Sequence, residues 1–168
     1  MRKITVPGKP MTWSRARANT KGGRVVFFTP ADREAHMDAI RLFAKSSRIE
    51  RIEKPWSVAL RCEFLFDRPD GHFGTGRNAG VLKERYRHAR PPSGKNGGDL
   101  DNLVKLVKDA LNSVAYHDDS QIAELQASKR YCGPGEQPET RIPLQPLENG
   151  DDLGEPEPVA DQLSLAAA

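Results

Sequence analysis

Gly97-Gly98-Asp99-Leu100-Asp101-Asn102-Leu103-Val104-Lys105 places two carboxylates one residue apart, with an ammonium four residues after the second. Asp118-Asp119 follows downstream. Carboxylates crowded together repel and raise one another's pKa unless a cation relieves them. Magnesium prefers hard oxygen ligands and keeps some of its waters. It can activate a water and neutralise charge on phosphoryl oxygens, the two requirements of phosphodiester cleavage. Lys105 lies on the helical face of Asp101, where it can pair with a carboxylate or stabilise charge at a scissile phosphate. Each part alone has a plainer explanation: Asp99 as an N-cap, Asp101 and Lys105 as an i,i+4 surface pair, Asp118-Asp119 as a turn. Their joint occurrence around one helix points to a metal-dependent nuclease centre. Asp118 is a possible accessory, Asp109 reads as structural, and His117, a lone loop histidine, is assigned no role.

The helix that must carry these groups is well marked. Leu100, Leu103, Val104, Val107, Ala110, Leu111 and Val114 recur at three- and four-residue steps, while Asp101, Lys105, Lys108 and Asn112 share the opposite face. Gly97-Gly98 frees the chain before it, and Asp99 is placed to cap it. Tyr116 to Ser120 reads as the exit loop and Gln121 to Tyr131 as a strand, with Leu125, Ala127 and Tyr131 on one face.

Upstream, Ile4 to Val6 and Arg24 to Phe28 read as strands that form a hairpin-like pair around a basic connection containing Arg15 and Arg17. Thr29-Pro30 starts a scaffold helix with Ala35, Met37, Ile40, Phe43 and Ala44 on its apolar stripe. Trp56 to Phe66 is the clearest strand. Val58, Leu60, Cys62, Phe64 and Phe66 share one face, Arg61 and Glu63 the other, so one side of the sheet is covered and Cys62 belongs to the core. From Arg68 to Gly98, roughly thirty residues show no firm periodicity beyond a helical turn near Val81 to Tyr86. That length marks either a functional segment or a tolerated insertion. Its Arg85, Arg87, Arg90 and Lys95 would suit a grip on a polyanion.

The net charge of +3 is unevenly spread. Gly133 to Ala168 holds eight acidic residues and one basic, Arg141, which leaves 25 basic against 15 acidic residues in 1 to 132, a net +10. A body that basic suits nucleic acid. Rich in Pro, Glu, Asp and Gly, residues 133–168 read as a disordered acidic tail behind a domain of residues 1–132. Cys62 and Cys132 stand 70 apart without a CxxC, which excludes a disulfide framework and a zinc knuckle and suits a reducing cytoplasm. No signal-like or membrane-spanning run is present.

Asp99-Leu100-Asp101-Asn102 with Lys105, then Asp109-Ala110-Leu111-Asn112, then Asp118-Asp119-Ser120-Gln121-Ile122 resembles the signature of the RusA family of Holliday junction resolvases. The parts stand in order and at comparable spacing. Gly8-Lys9-Pro10 and Arg15-x-Arg17 are also similar, and the likeness covers roughly residues 2 to 131. It implies a small α+β fold, a mixed sheet packed with two main helices. It also implies a homodimer that binds four-way DNA junctions and nicks two strands symmetrically with Mg2+, for which Mn2+ can substitute. Asp99, Asp101 and Asp119 are then the catalytic metal ligands, and Lys105 matches the functionally required lysine. Some relatives open the junction with aromatic or basic residues near the two-fold axis, a role to which the loop match does not assign Phe73 or Arg90. Competing readings are a magnesium nuclease for other branched or flap DNA, and a non-catalytic DNA-binding protein. A phosphatase of the Asp-x-Asp type would want an apolar strand before the pair, where Lys95-Asn96-Gly97-Gly98 stands.

Overall fold

The structure is a computed structural model and describes residues 2–12, 17–21, 24–28, 31–94, 98–133 and 135–147. Strands β1 (Arg2–Pro7), β4 (Ser57–Phe66), β5 (Ile122–Tyr131) and β6 (Glu139–Leu147) form a sheet in the order β1-β6-β4-β5. Strands β2 (Arg17–Lys21) and β3 (Arg24–Phe28) make a separate antiparallel pair. Helix α1 spans Ala31–Ser46 and α2 spans Leu100–Leu111. The fold is α+β with a mixed sheet: β4 and β5 are parallel, and the other main-sheet pairings are antiparallel.

The core follows the expected alternation. Val58, Leu60, Cys62, Phe64 and Phe66 of β4 are all buried and meet Met37, Ile40 and Ala44 of α1 and Leu103, Leu106, Val107, Ala110 and Leu111 of α2. Fully burying each such Leu, Ile or Phe contributes roughly 1.5–3 kcal/mol, so this layer is what fixes α2 against the sheet. Burial pushes the Cys62 thiol up to about 12, as suits a cysteine that packs rather than reacts. Because β4 and β5 are parallel, the chain must cross back between them, and α2 forms part of that crossover. The acidic helix is therefore held between two neighbouring strands.

Two expectations are corrected. Strand β1 pairs with β6, Ile4 opposite Ile142, and not with β3, whose partner is β2. The segment expected to be a tail from Gly133 onward contributes β6, which lies inside the sheet between β1 and β4. Thr140, Ile142 and Leu144 alternate inward on this strand and are buried. Its composition hid it: Pro143 and Pro146 cannot donate to a ladder and argue against a central strand. The sheet accommodates Pro143 with a gap. The β4–β6 ladder pairs Ser57–Leu60 with Leu147–Leu144 and resumes at Glu63 opposite Arg141, the break falling opposite Pro143 and Ile142. Around the resumed ladder, Arg130 and Arg141 bridge Glu63 and Glu136, and Arg141 also pairs with Glu139, so two acids of the segment from Gly133, Glu136 and Glu139, are neutralised by the sheet. Residues 148–168 lie outside the described residues.

Candidate active site

Helix α2 opens at Asp99, whose extended backbone (φ −82°, ψ 153°) makes it the N-cap. Its side chain makes no capping hydrogen bond, contrary to the expectation that it caps the helix, and it is exposed. The carboxylate is thus left for another partner. The residue before it is constrained on three sides. Gly98 is buried at φ +69°, a conformation that costs a residue with a Cβ about 1–2 kcal/mol. A Cβ there would lie 2.4 Å from both Cβ and Oγ1 of Thr12. The Gly98 N–H donates to the Gly94 carbonyl at 2.7 Å, and its carbonyl accepts from Lys129 Nζ at 2.9 Å. The same ammonium donates to the Pro92 carbonyl at 3.1 Å. The loop after β1, the end of the long connection and strand β5 thus meet at the residue preceding the acidic pair.

Asp101 lies in the first turn of α2, where its charge complements the helix dipole. Lys105 follows one turn on, and both are exposed. Lys108, seven residues after Asp101, continues that face and holds Asp119 through an Nζ–Oδ2 contact of 3.0 Å. At 1.5 Å per residue, Asp101 and Lys108 are separated by roughly 10 Å along the axis. Asp119 is thereby tied to the face of α2 that carries Asp101 and Lys105. Among the described residues no three His, Cys, Asp or Glu side chains gather into a closed metal group.

The loop that presents Asp118 and Asp119 is tightly built. Tyr116 is buried and donates its hydroxyl at 3.0 Å to the Lys108 carbonyl, which also accepts the Asn112 N–H at the end of α2. Burial raises its phenol pKa, with further contributions from Cys62, Asp119, Asp109 and Asp118. Gln121 accepts from the backbone N–H groups of His117 and Asp118 and donates to the carbonyls of Ile52 and Trp56. Asp118 accepts from the Ser120 N–H at 2.9 Å, and hydrogen bonding with the Ser120 side chain first, and with this N–H second, holds its carboxyl below the usual range. Asp118 is thus occupied as the cap of the turn at Asp119–Gln121. His117 pairs with Glu53.

The long connection is an organised loop. Short 3-10 turns at Asp70–His72, Gly76–Asn78 and Glu84–Tyr86 are joined by backbone bonds from Gly74 to Val81 and from Lys83 to His72. His72 stacks on Tyr86 with centroids 4.2 Å apart and meets Tyr131 of β5 edge-on, while Arg68 lies over the Tyr131 ring. This cluster moors the loop to the same end of β5 that holds Gly98. Arg85, over the Tyr86 ring, Arg87, paired with Glu84, and Arg90 are all exposed on it. Phe73 is half-buried and bridges to Leu82. Arg15 and Lys95 lie outside the described residues; Arg17 opens β2.

Two residues escaped the sequence reading. Lys108 was visible only as a member of the polar face, with nothing to link it to Asp119. Lys129 carried no signal, since its two acceptors are backbone carbonyls.

A mixed sheet with an acidic helix mouth, a lysine-lined helix face and a basic loop moored alongside defines a small α+β protein suited to a phosphodiester substrate. The family model described as Endodeoxyribonuclease RusA matches residues 7–144. An uncharacterized protein of Bacillus subtilis (strain 168), YqaN, is 31% identical over 144 residues, covering 85% of this chain and 94% of its own length. The chain belongs to the RusA family, and is an endodeoxyribonuclease of the Holliday junction resolvase type. The matched span runs through most of β6, further than the residues the motif alone suggested. Family nucleases depend in general on a divalent metal and act on branched DNA. The donor chemistry here fits such an ion: Asp99 and Asp101 are hard oxygen donors, the former without a cap bond. Magnesium is commonly held by one or two carboxylates, its other positions filled by waters and substrate phosphates. No helix among the described residues is long and apolar enough to cross a membrane.

Proposed function

We propose that this chain resolves four-way DNA junctions by paired, symmetric nicks in a magnesium-dependent reaction serving recombination and repair, and that it works in the cytoplasm. The observation that carries the reading is the acidic mouth of α2, with Asp99 left uncapped and Asp101 one residue on. Asp99 and Asp101 would hold the metal, with Asp119 as the third carboxylate; Mn2+ would substitute. The bound ion would supply an activated water and neutralise phosphoryl charge.

The chain's own residues do the rest. Lys105 places an ammonium one turn from Asp101, where it stabilises charge gathering on the scissile phosphate. Lys108 holds Asp119 against the helix at 3.0 Å and keeps that carboxylate oriented. Asp118, through its cap on Ser120, fixes the loop beneath it. Arg85, Arg87 and Arg90, with Arg15, Arg17 and Lys95, grip the phosphate backbone. Selectivity then comes from junction shape and phosphate placement more than from base edges. A homodimer supplies two equivalent centres for two equivalent cuts.

Matched four-way, three-way and linear duplex substrates test this, with and without magnesium. The expected result is paired nicks in the four-way junction alone, and only with the metal. Equal cutting of three-way or flap DNA would favour a broader branched-DNA nuclease. Junction binding without cleavage under either metal would refute the catalytic reading.

A further inference from the structure

We infer that Lys129 is a positioning residue for the acidic mouth of α2, setting the turn from which Asp99 and Asp101 project. The inference rests on the metal-site reading above. Lys129 lies in β5 opposite Phe64, on the helix-covered side of the sheet with Ala127 and Tyr131. Its ammonium donates to the carbonyls of Gly98 at 2.9 Å and Pro92 at 3.1 Å, tying together two points of the chain that bracket the approach to α2. Gly98 is buried and immediately precedes Asp99, and the Asp99 carbonyl receives the Leu103 N–H at 3.1 Å, within the first turn of the helix. The chain of contacts from Lys129 to the first ligand is therefore two residues long.

The charge of the group matters as much as its hydrogen bonds. A cation beside a helix N-terminus opposes the helix dipole, which favours anions there. A neutral donor would serve the two carbonyls without that cost. A lysine at this place is offset by the two carboxylates that follow Gly98, Asp99 and Asp101. Residues that orient metal ligands from behind typically change metal affinity by about 10–100-fold when removed.

The test uses the full chain as wild type, Lys129→Met, Lys129→Gln and Asp101→Asn, with Mn2+ affinity read by calorimetry and amide hydrogen exchange read without metal. Lys129→Met is expected to bind Mn2+ about 10–100-fold more weakly than wild type. It should also lose protection at the Leu103 amide while the β4 amides keep theirs. Lys129→Gln, which keeps a donor and drops the charge, should restore Leu103 protection and leave Mn2+ binding weakened. A folded Lys129→Met with unchanged Mn2+ affinity and unchanged Leu103 protection overturns the inference. If Lys129→Met does not fold, Lys129→Gln decides by the same affinity criterion: wild-type affinity overturns it. Protection lost evenly across β4 and α2 would make Lys129 a general stability residue, which also overturns it. Wild type that binds no Mn2+ would instead sink the metal-site reading, and the exchange of Leu103 would still judge Lys129's hold on the helix mouth.

Discussion

Gly98→Ala is the substitution for which the structure sets the clearest magnitude. Two costs combine. The residue sits at φ +69°, so any side chain pays the left-handed penalty of about 1–2 kcal/mol. The new Cβ would also stand 2.4 Å from Thr12 Cβ and Oγ1 and 3.2 Å from its Cγ2, and overpacking of that kind typically costs about 1–3 kcal/mol. The sum, about 2–5 kcal/mol, is a large part of a typical domain's stability of about 5–15 kcal/mol. Gly76→Ala is the matched control: φ is +61°, but nothing stands within 4 Å of its Cβ, so only the backbone cost applies. For a chain of this size each kcal/mol moves Tm by roughly 2–4 °C. Urea denaturation of the two variants, with Thr12→Gly and the Thr12→Gly/Gly98→Ala double variant, completes a cycle that isolates the contact. The expected result is that Gly98→Ala is the more destabilised by about 1–3 kcal/mol, most of it recovered in the double variant. Equal losses for Gly98→Ala and Gly76→Ala would refute the claim that the loop after β1 packs against the mouth of α2.

Lys105→Ala is expected to keep junction binding, measured by gel shift in Ca2+, while cleavage in Mg2+ falls by at least about 100-fold; collapse of the far-UV spectrum would instead make Lys105 structural. Removal of residues 148–168 should leave cleavage intact or raised, because six acids next to a basic body compete with DNA. Truncation from Gly133 should abolish folding, because it removes β6 from between β1 and β4; circular dichroism and cleavage of both truncations check the pair. Glu136 is held at about 2, chiefly by the hydrogen bond from Arg130, against an ordinary 4.5. A depressed carboxylate stabilises the fold above its unfolded pKa, and that contribution is lost as pH falls from about 4.5 toward about 2. Glu136→Gln should therefore flatten the acid limb of a stability-versus-pH curve in that window, and an unchanged limb would refute the assignment.

The elements with strong periodicity were legible before the structure. The stripe from Leu100 to Val114 marks α2 because burial must recur every three to four residues on a helix packed on one side, and the alternation from Val58 to Phe66 marks β4. The acidic motif and the polar face of α2 could be read because both are local in sequence. Strand β6 was not, because three prolines and two acids from Glu136 to Leu147 outweighed three inward-facing residues, Thr140, Ile142 and Leu144. The partner of β1 is hidden for the same reason: the strand that fills that place has the composition of a tail. At the site, what escaped was everything that depends on long-range contact. The hold of Lys108 on Asp119, the two carbonyls under Lys129 and the Thr12–Gly98 approach join residues far apart in the chain through groups that leave no pattern.

The central claim is that the acidic mouth of α2 is a metal centre for junction cleavage. Its most direct test is the nicking of a synthetic four-way junction by wild type and Asp101→Asn, with binding measured alongside in Ca2+. The account predicts paired symmetric nicks by wild type in Mg2+ and none in EDTA, with Asp101→Asn binding the junction equally and cutting it at least about 100-fold more slowly. Wild-type nicking by Asp101→Asn in Mg2+ would contradict it.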